Sequence, residues 1–201
     1  MSVSLSKGQK VSLEKSGGGG IAKLHMGLGW DPAEQQSAGF FAKLLGGGSR
    51  SIDLDASCIV CAADGSSIDL VWFKQLKSAD GSIIHTGDNT TGEGDGDDES
   101  IKVDTAKLPA NAAHLVFTVN SYQGQTFNEV DNAFCRILDD GTHSEICRYT
   151  LTEQGPHTGV VMGVLSRDGS GWSFTALGTP ANGQSARDMS AAAAAAIAAV
   201  Q

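Results

Sequence analysis

Hydrophobic and polar residues alternate with a period of two along much of the chain, a pattern typical of half-buried β-strands. In the segment 52–60 one face collects Ile52, Leu54, Ala56, Cys58 and Val60. The other face carries Asp53, Asp55 and Ser57. Similar patterns predict strands at Lys23–Leu28, Ile68–Phe73, Ile101–Val103, Leu115–Val119, Ala133–Leu138, Ile146–Leu151, Val160–Leu165 and Trp172–Leu177.

Tight turns are indicated between or beside these segments by Asp-Gly pairs at 64–65, 80–81, 140–141 and 168–169. Many short strands joined by frequent turns predict an all-β protein, built as a sandwich or a barrel. Of the two we favour a β-sandwich of two mainly antiparallel sheets. With 201 residues, the chain is long enough for one domain with a sizeable core, which we assign to residues 1–180.

Three segments depart from the strand pattern. Residues 33–50 form an insertion with Phe40, Phe41, Leu44 and Leu45, which could dock on a partner or a membrane, although packing onto its own domain is favoured. The spacing of Phe127, Val130 and Phe134 predicts a short helix. Residues 181–201 are an Ala-rich C-terminal helix or tail, for which the sequence indicates no function.

Negative charge is concentrated in one part of the chain. The protein carries a formal charge of −9, and the segment 78–101, with seven acids and no Lys or Arg, supplies −7 of it. An acidic chain without a basic stripe argues against nucleic acid as a partner. The N-terminus lacks the apolar core of a signal peptide, and no apolar run approaches the ~20 residues that span a bilayer. We therefore expect a cytoplasmic protein without a membrane anchor, with reduced cysteines.

The densest part of that segment has the composition of a site for a hard cation. Six of the twelve residues from Asp88 to Glu99 are carboxylates, and Gly92, Gly94 and Gly96 alternate with them. Carboxylate and carbonyl oxygens suit Ca²⁺ better than Mg²⁺ or Mn²⁺ here, and glycines let a backbone wrap closely around an ion. An EF-hand is excluded, because the loop glycine required at the sixth position is Glu93. Asp53 and Asp55, two apart on a strand, could approach this loop or could be two solvated acids.

Two alternative functions are considered. The acidic site could hold Mg²⁺ or Mn²⁺ and hydrolyse a substrate, although the sequence offers no convincing base or pocket. A thiol-based mechanism could instead use Cys58 and Cys61. Residues three apart on a strand point to opposite faces, however, so this pair should neither share a ligand nor form a disulfide. A core position for Cys58 is favoured.

Several motifs together resemble the TerD family of tellurium-resistance and stress-response proteins. They are Gly27–Asp31, Asp53–Ala56, His85–Asn89 and Thr91–Glu99. Further segments are most similar to the TerZ branch of that family, namely Ser51–Ala56, Phe117–Ser121, Asn132–Arg136, Leu151–Gly155 and Phe174–Gly178. The resemblance extends in order from about residue 2 to residue 180 and excludes the Ala-rich end.

The resemblance implies a non-enzymatic β-sandwich that binds calcium, usually two ions, through the acidic loop and the facing strand. It places the ligands by position at Asp53, Asp55, Asp88, Asn89, Asp95, Asp97, Asp98 and Glu99, with the carbonyls of Gly92 and Gly94. It also implies assembly with other tellurite- and stress-resistance proteins near the inner face of the membrane.

Overall fold

Two six-stranded β-sheets pack face to face in the computed structural model, which describes residues 2–14, 20–32, 52–87, 96–152, 154–169 and 171–201. Sheet A contains, in spatial order, β1 (Val3–Leu5), β10 (Ser144–Thr150), β9 (Val130–Asp139), β3 (Lys23–Pro32), β7 (Glu99–Asp104) and β6 (Ile83–His85). Sheet B contains β2 (Lys10–Ser12), β12 (Gly171–Ala181), β11 (Gly159–Asp168), β8 (His114–Ser121), β4 (Leu54–Cys61) and β5 (Ser67–Val71).

The strand predictions from alternation are confirmed. Every segment predicted as a strand lies within, or largely overlaps, one of the strands above, and all neighbouring strands are antiparallel except β1 with β10. The strands that the sequence did not predict are β1, β2 and β6, each of three residues. All three lie at sheet edges. Three residues are too few to show a period of two, so the pattern could not reveal them.

The main core lies between the sheets, where strand residues of one parity meet. The predicted inward face of β4 is confirmed, since Leu54, Ala56, Cys58 and Val60 belong to this core. The opposite face of β4 is buried as well, because Ile59 and Cys61 join a second apolar cluster. Cys58 and Cys61 therefore face different cores, as their spacing predicted.

A helix covers the outer face of sheet B. The Ala-rich end of the chain forms α1 (Ser190–Val200), which contacts β8, β11 and β12. Its buried residues are Ala193, Ala196 and Ile197, at the i, i+3, i+4 spacing of one helical face. No helix in the described part of the chain is long and apolar enough to cross a bilayer.

The short helix predicted after Gln125 is smaller than its spacing suggested. Only Phe127–Glu129 are helical, as one 3₁₀ turn, and Val130 and Phe134 belong to β9. The insertion predicted at 33–50 lies outside the described residues.

Candidate functional site

The predicted metal ligands divide into two groups. Asp88, Asn89, Gly92, Gly94 and Asp95 lie outside the described residues. The other five are described, and they come from both sheets. Asp53 and Asp55 lie at the start of β4 in sheet B, whereas Asp97, Asp98 and Glu99 lead into β7 in sheet A.

Glu99 joins the two sheets by a buried hydrogen bond. It pairs with the core residue Leu28, so its side chain points between the sheets. There its Oε2 accepts a hydrogen bond of 2.6 Å from the backbone N–H of Ala56 in β4. His85 Nε2 lies 3.4 Å from the same oxygen and 3.2 Å from the carbonyl oxygen of Ala56. The last acid of the loop is thus fixed beside the strand that carries Asp55.

Trp30 makes a second connection between the same segments. Its backbone N–H donates to Asp98 Oδ2 at 2.9 Å, and its indole Nε1–H donates to the carbonyl oxygen of Ile52 at 3.0 Å. The Asp98 N–H in turn donates to the Leu28 carbonyl oxygen at 2.8 Å. Trp30 is only 3% exposed, so one buried residue, through its backbone and its indole, relates the position of Asp98 to that of the segment before Asp53.

Asp53 and Asp55 are buried, which rules out two solvated acids on an exposed strand. Their exposed fractions are 8% and 5%. Gln123 Nε2 donates to Asp53 Oδ2 at 3.3 Å, and Asp55 lies opposite Asn120 in the β4–β8 ladder. The contacts of Trp30 and Glu99 thus place the entrance to β7, with Asp98 and Glu99, beside the start of β4, with Asp53 and Asp55.

Asp97 lies in different surroundings, on the outer face of sheet A. The guanidinium of Arg136 in β9 binds both of its oxygens, with Nε–Oδ1 at 2.7 Å and Nη2–Oδ2 at 3.1 Å. His25 Nε2 lies 3.5 Å from Oδ2. The carboxylate occupies the space above Gly27, where a Cβ atom would overlap it. Glycine at position 27 is what lets the Asp97 side chain lie flat on the strand.

The two adjacent aspartates have opposite pKa shifts. Burial raises the pKa of Asp98, and the nearby charges of Asp31 and Asp97 raise it further, against the effect of the Trp30 hydrogen bond. For Asp97, burial also favours the neutral acid, but hydrogen bonds from His25 and Arg136 outweigh it and lower the pKa. The protein thus already offsets the charge of Asp97, whereas Asp98 would gain most from an added cation.

The Arg136–Asp97 ion pair should matter more for stability than an exposed pair of similar length. Replacing Arg136 with Met leaves a half-buried carboxylate without its bidentate partner, so we expect a loss of about 1–3 kcal/mol in the free energy of unfolding. The control is Lys10→Met, which removes a 2.9 Å ion pair to Asp168 whose side chains are more than half exposed and should cost less than about 1 kcal/mol. Urea denaturation of both variants measures the difference, and equal losses would contradict the expectation.

Arg136 and Gly27 belong to motifs that carried the family resemblance, but the sequence did not predict a role at the site for either residue. Arg136 alternates with the inward residues Cys135 and Ile137, so an outward position could have been inferred. Its neighbour across the sheet could not be inferred, because the pairing of β9 with β3 sets Arg136 opposite Gly27, which is distant in sequence. His85, the first residue of the motif His85–Asn89, contacts Glu99 as described above.

The described carboxylates do not form a complete metal site. Among the residues that the structure describes, no group of three or more His, Cys, Asp or Glu side chains could hold a metal ion. All of the predicted side-chain donors carry oxygen, the ligand type that Ca²⁺ prefers. Asp53, Asp55 and Asp98 therefore match a calcium site in donor chemistry.

With two packed six-stranded sheets and an acidic segment before β7, the protein is an acidic β-sandwich. The family model of the TerD domain matches residues 1–188. The chain belongs to the TerD family, as its motifs predicted.

Curated relatives support the assignment across nearly the whole chain. The chain is 51% identical to the tellurium resistance protein TerZ of Serratia marcescens, over 93% of this chain and 94% of that protein. It is 44% identical to the stress response protein SCP2 of Bacillus subtilis, over 90% and 94% of the two chains. The crystal structure of a Streptomyces coelicolor homologue of the telluride resistance protein TerD has the same fold, with a TM-score of 0.66, 20% identity, and coverage of 85% and 96%.

Proposed function

We propose that this protein is a non-enzymatic calcium-binding module of a tellurite-resistance and general stress-response system. Its relatives are named for tellurium resistance and for stress response, which supports the biological setting. The observation that supports the calcium assignment is the contact between two acidic segments, the start of β4 with Asp53 and Asp55 and the entrance to β7 with Asp98 and Glu99. These segments belong to different sheets, and residues 88–95, which precede the second in sequence, add three further carboxylates.

Electrostatics favours a divalent cation at this end. Two carboxylates about 5 Å apart repel each other by roughly 0.8 kcal/mol in bulk water, and by more where water is excluded. Asp53 and Asp55 are largely excluded from water. Two bound Ca²⁺ ions would change the formal charge from −9 to −5. The ions would therefore offset the repulsion where it is strongest.

The described residues would have distinct tasks in such a site. Asp53, Asp55 and Asp98 would bind an ion through their carboxylate oxygens. Glu99 would position the loop, because one of its oxygens already accepts the Ala56 N–H. Asp97, predicted as a ligand from its position, has both oxygens bound by Arg136, so we rank it behind Asp98. Asp88, Asn89, Asp95 and the carbonyls of Gly92 and Gly94 would complete the shells.

The decisive experiment is calorimetric titration of the demetallated protein with Ca²⁺. We expect saturable binding of two ions that is weakened by Asp53→Asn or Asp98→Asn. The matched control is Asp168→Asn, which removes an exposed carboxylate paired with Lys10 at the end of β11. Absence of binding heat in the wild-type protein, with the fold intact by circular dichroism, would refute the calcium assignment.

The module would act in the cytoplasm by assembling with other tellurite- and stress-resistance proteins near the inner face of the membrane. Calcium would order the acidic end and so create or stabilise the surface that a partner contacts. Pull-down of cell extract with tagged protein, in excess Ca²⁺ and in chelator, tests this part of the proposal. Partners retained equally in both conditions would show that assembly does not depend on the ion.

The thiol alternative receives no support from the surroundings of the cysteines. All four are buried and free. Burial, with a smaller contribution from Asp64, raises the pKa of Cys61 to about 11, and burial raises that of Cys58 as well. Thiolates are the reactive form, so both groups are held in the unreactive state at neutral pH.

We therefore expect that Cys58→Ala and Cys61→Ala leave resistance to tellurite unchanged in cells that depend on this protein. Asp53→Asn should reduce resistance in the same assay, because it weakens the proposed ion site. Protein levels must be matched by immunoblotting, since both Cys→Ala changes remove buried atoms and cost some stability. Resistance lost in the cysteine variants and retained in Asp53→Asn would reverse the assignment.

A further inference from the structure

Three aromatic rings surround the ammonium group of Lys74. Trp72 and Phe73 follow β5, and Tyr122 follows β8. The Nζ atom of Lys74 lies 5.4 Å from the ring centre of Trp72, 5.0 Å from that of Phe73 and 5.2 Å from that of Tyr122. All three distances are within the ~6 Å at which a ring face attracts a cation. We call Trp72, Phe73 and Tyr122 the aromatic cage.

The rings of the cage support one another. Trp72 and Phe73 meet edge to face at 5.0 Å with an interplanar angle of 69°, and Phe73 and Tyr122 do so at 5.3 Å and 75°. Trp72 is only 6% exposed, whereas Tyr122 is 46% exposed. The cage is thus buried on the side of Trp72 and open on the side of Tyr122. An external group could enter it there without local unfolding.

Lys74 occupies the cage through ring contacts. In the described part of the chain it makes no ion pair, and its side chain is exposed. Arg187 places its guanidinium 5.5 Å from the same indole ring of Trp72. The chain itself therefore supplies one cation to all three rings and a second cation to Trp72, so these rings already attract positive groups. A flexible exposed lysine is also easily displaced.

The cage is larger than a bare ammonium group requires. A carbon–nitrogen single bond is about 1.5 Å long, so a methyl group on a nitrogen at the position of Nζ would lie about 3.5–3.9 Å from a ring centre it points to. That is the optimal separation of two carbon atoms in contact. The N–H bonds of a primary ammonium are shorter than a carbon–nitrogen bond, so its hydrogens do not fill the same space against the rings. The ring spacing therefore fits an N-methylated nitrogen better than the lysine that fills it here.

We propose that the aromatic cage is a binding site for quaternary or N-methylated ammonium groups, and that Lys74 fills it until such a group displaces the lysine. Aromatic rings recognise quaternary ammonium ions through the same cation–π attraction. The formal charge of −9 on the protein favours the approach of a cation over that of an anion. The group could belong to a free small molecule or to a methylated lysine side chain of a partner protein. This proposal is independent of calcium binding.

Titration with tetramethylammonium chloride tests the site, observed through the NMR shift of the Trp72 indole N–H with sodium chloride as the ionic-strength control. Lys74→Ser removes the competing lysine, so it should bind about tenfold more tightly than wild type if the lysine gives up contacts with three rings. Tyr122→Leu should abolish the shift, and Tyr122→Phe, which keeps the ring, should retain it. Lys77→Ser, which removes a nearby exposed lysine, should behave as wild type.

Two further ligands identify the source of the group. A short peptide carrying trimethyllysine that binds more tightly than tetramethylammonium would indicate a partner side chain, whereas the reverse order would indicate a small molecule. The unmethylated peptide should bind more weakly than its trimethylated form. Equal affinities of wild type and Lys74→Ser, an unchanged shift in a folded Tyr122→Leu variant, or no preference for the methylated peptide would each overturn the proposal.

Discussion

Removal of calcium with a chelator is expected to lower the melting temperature of this protein by about 5–10 °C, and added Ca²⁺ should restore it. An ion that binds only the folded state stabilises that state by roughly 2.7 kcal/mol when its free concentration is a hundred times the dissociation constant. For a domain of 150–250 residues, each kcal/mol shifts the midpoint by about 2–4 °C. Differential scanning calorimetry in excess Ca²⁺ and in excess chelator measures the shift.

The variants of this experiment separate a specific site from general charge screening. Asp53→Asn and Asp98→Asn should show a smaller shift between Ca²⁺ and chelator than the wild-type protein, because each weakens binding by removing a proposed ligand. Asp168→Asn should keep the full shift. Mg²⁺ at the same concentration should stabilise the protein less, since it demands a more regular shell than an acidic loop provides. Superimposable curves for the wild-type protein in calcium and in chelator would end the calcium interpretation.

Replacing Trp30 with Ala is expected to cost about 3–5 kcal/mol of stability and to weaken calcium binding. The stability loss follows from the volume of the buried indole that is removed. Calcium binding should weaken because Trp30 contacts both acidic segments. Its indole N–H donates to the Ile52 carbonyl oxygen and its backbone N–H donates to Asp98. Without the indole, the segments that carry Asp53 and Asp98 lose a shared contact. Urea denaturation and calorimetric titration measure the two effects.

A second buried tryptophan provides a matched control. Trp172 in β12 is 5% exposed, close to the 3% of Trp30, and stacks against Arg167 at 4.7 Å. Trp172→Ala should cost a comparable amount of stability and leave the calcium affinity of the folded protein unchanged. Trp30→Phe, which keeps most of the volume and loses the indole hydrogen bond, should cost about 1–3 kcal/mol. If the two Trp→Ala variants bind calcium equally well, Trp30 does not position the site.

The alternation of residues predicted the fold well because strand parity is a local property. Each long strand carries enough residues to show its period, and β4 also showed which face enters the core. The edge strands β1, β2 and β6 were not predicted, because three residues do not define a period. The same argument explains the short helix: Phe127, Val130 and Phe134 have helical spacing, but Val130 and Phe134 are held by pairing with β3 and β10.

The sequence predicts the composition of the proposed cation site, but it does not predict the geometry of the described residues. Charge density and glycine spacing indicated an acidic cation site, and family motifs pointed to Asp53 and Asp55. The different surroundings of Asp97 and Asp98 could not be predicted from adjacent identical residues. They arise because Gly27 and Arg136 lie next to one carboxylate and the Trp30 backbone lies next to the other. Such differences depend on strand register across the sheet, which no local sequence pattern encodes.

The helix on sheet B has a consequence for how freely this chain can change in evolution. Strands β7 and β9 of sheet A alternate between buried and partly exposed positions, so about half of their residues can be replaced without touching an apolar layer. In β4 and β8, and in most of β11, residues of both parities are buried, with the sandwich core on one side and α1 covering part of the other. Neutral drift should therefore accumulate in one sheet and be suppressed in the centre of the other.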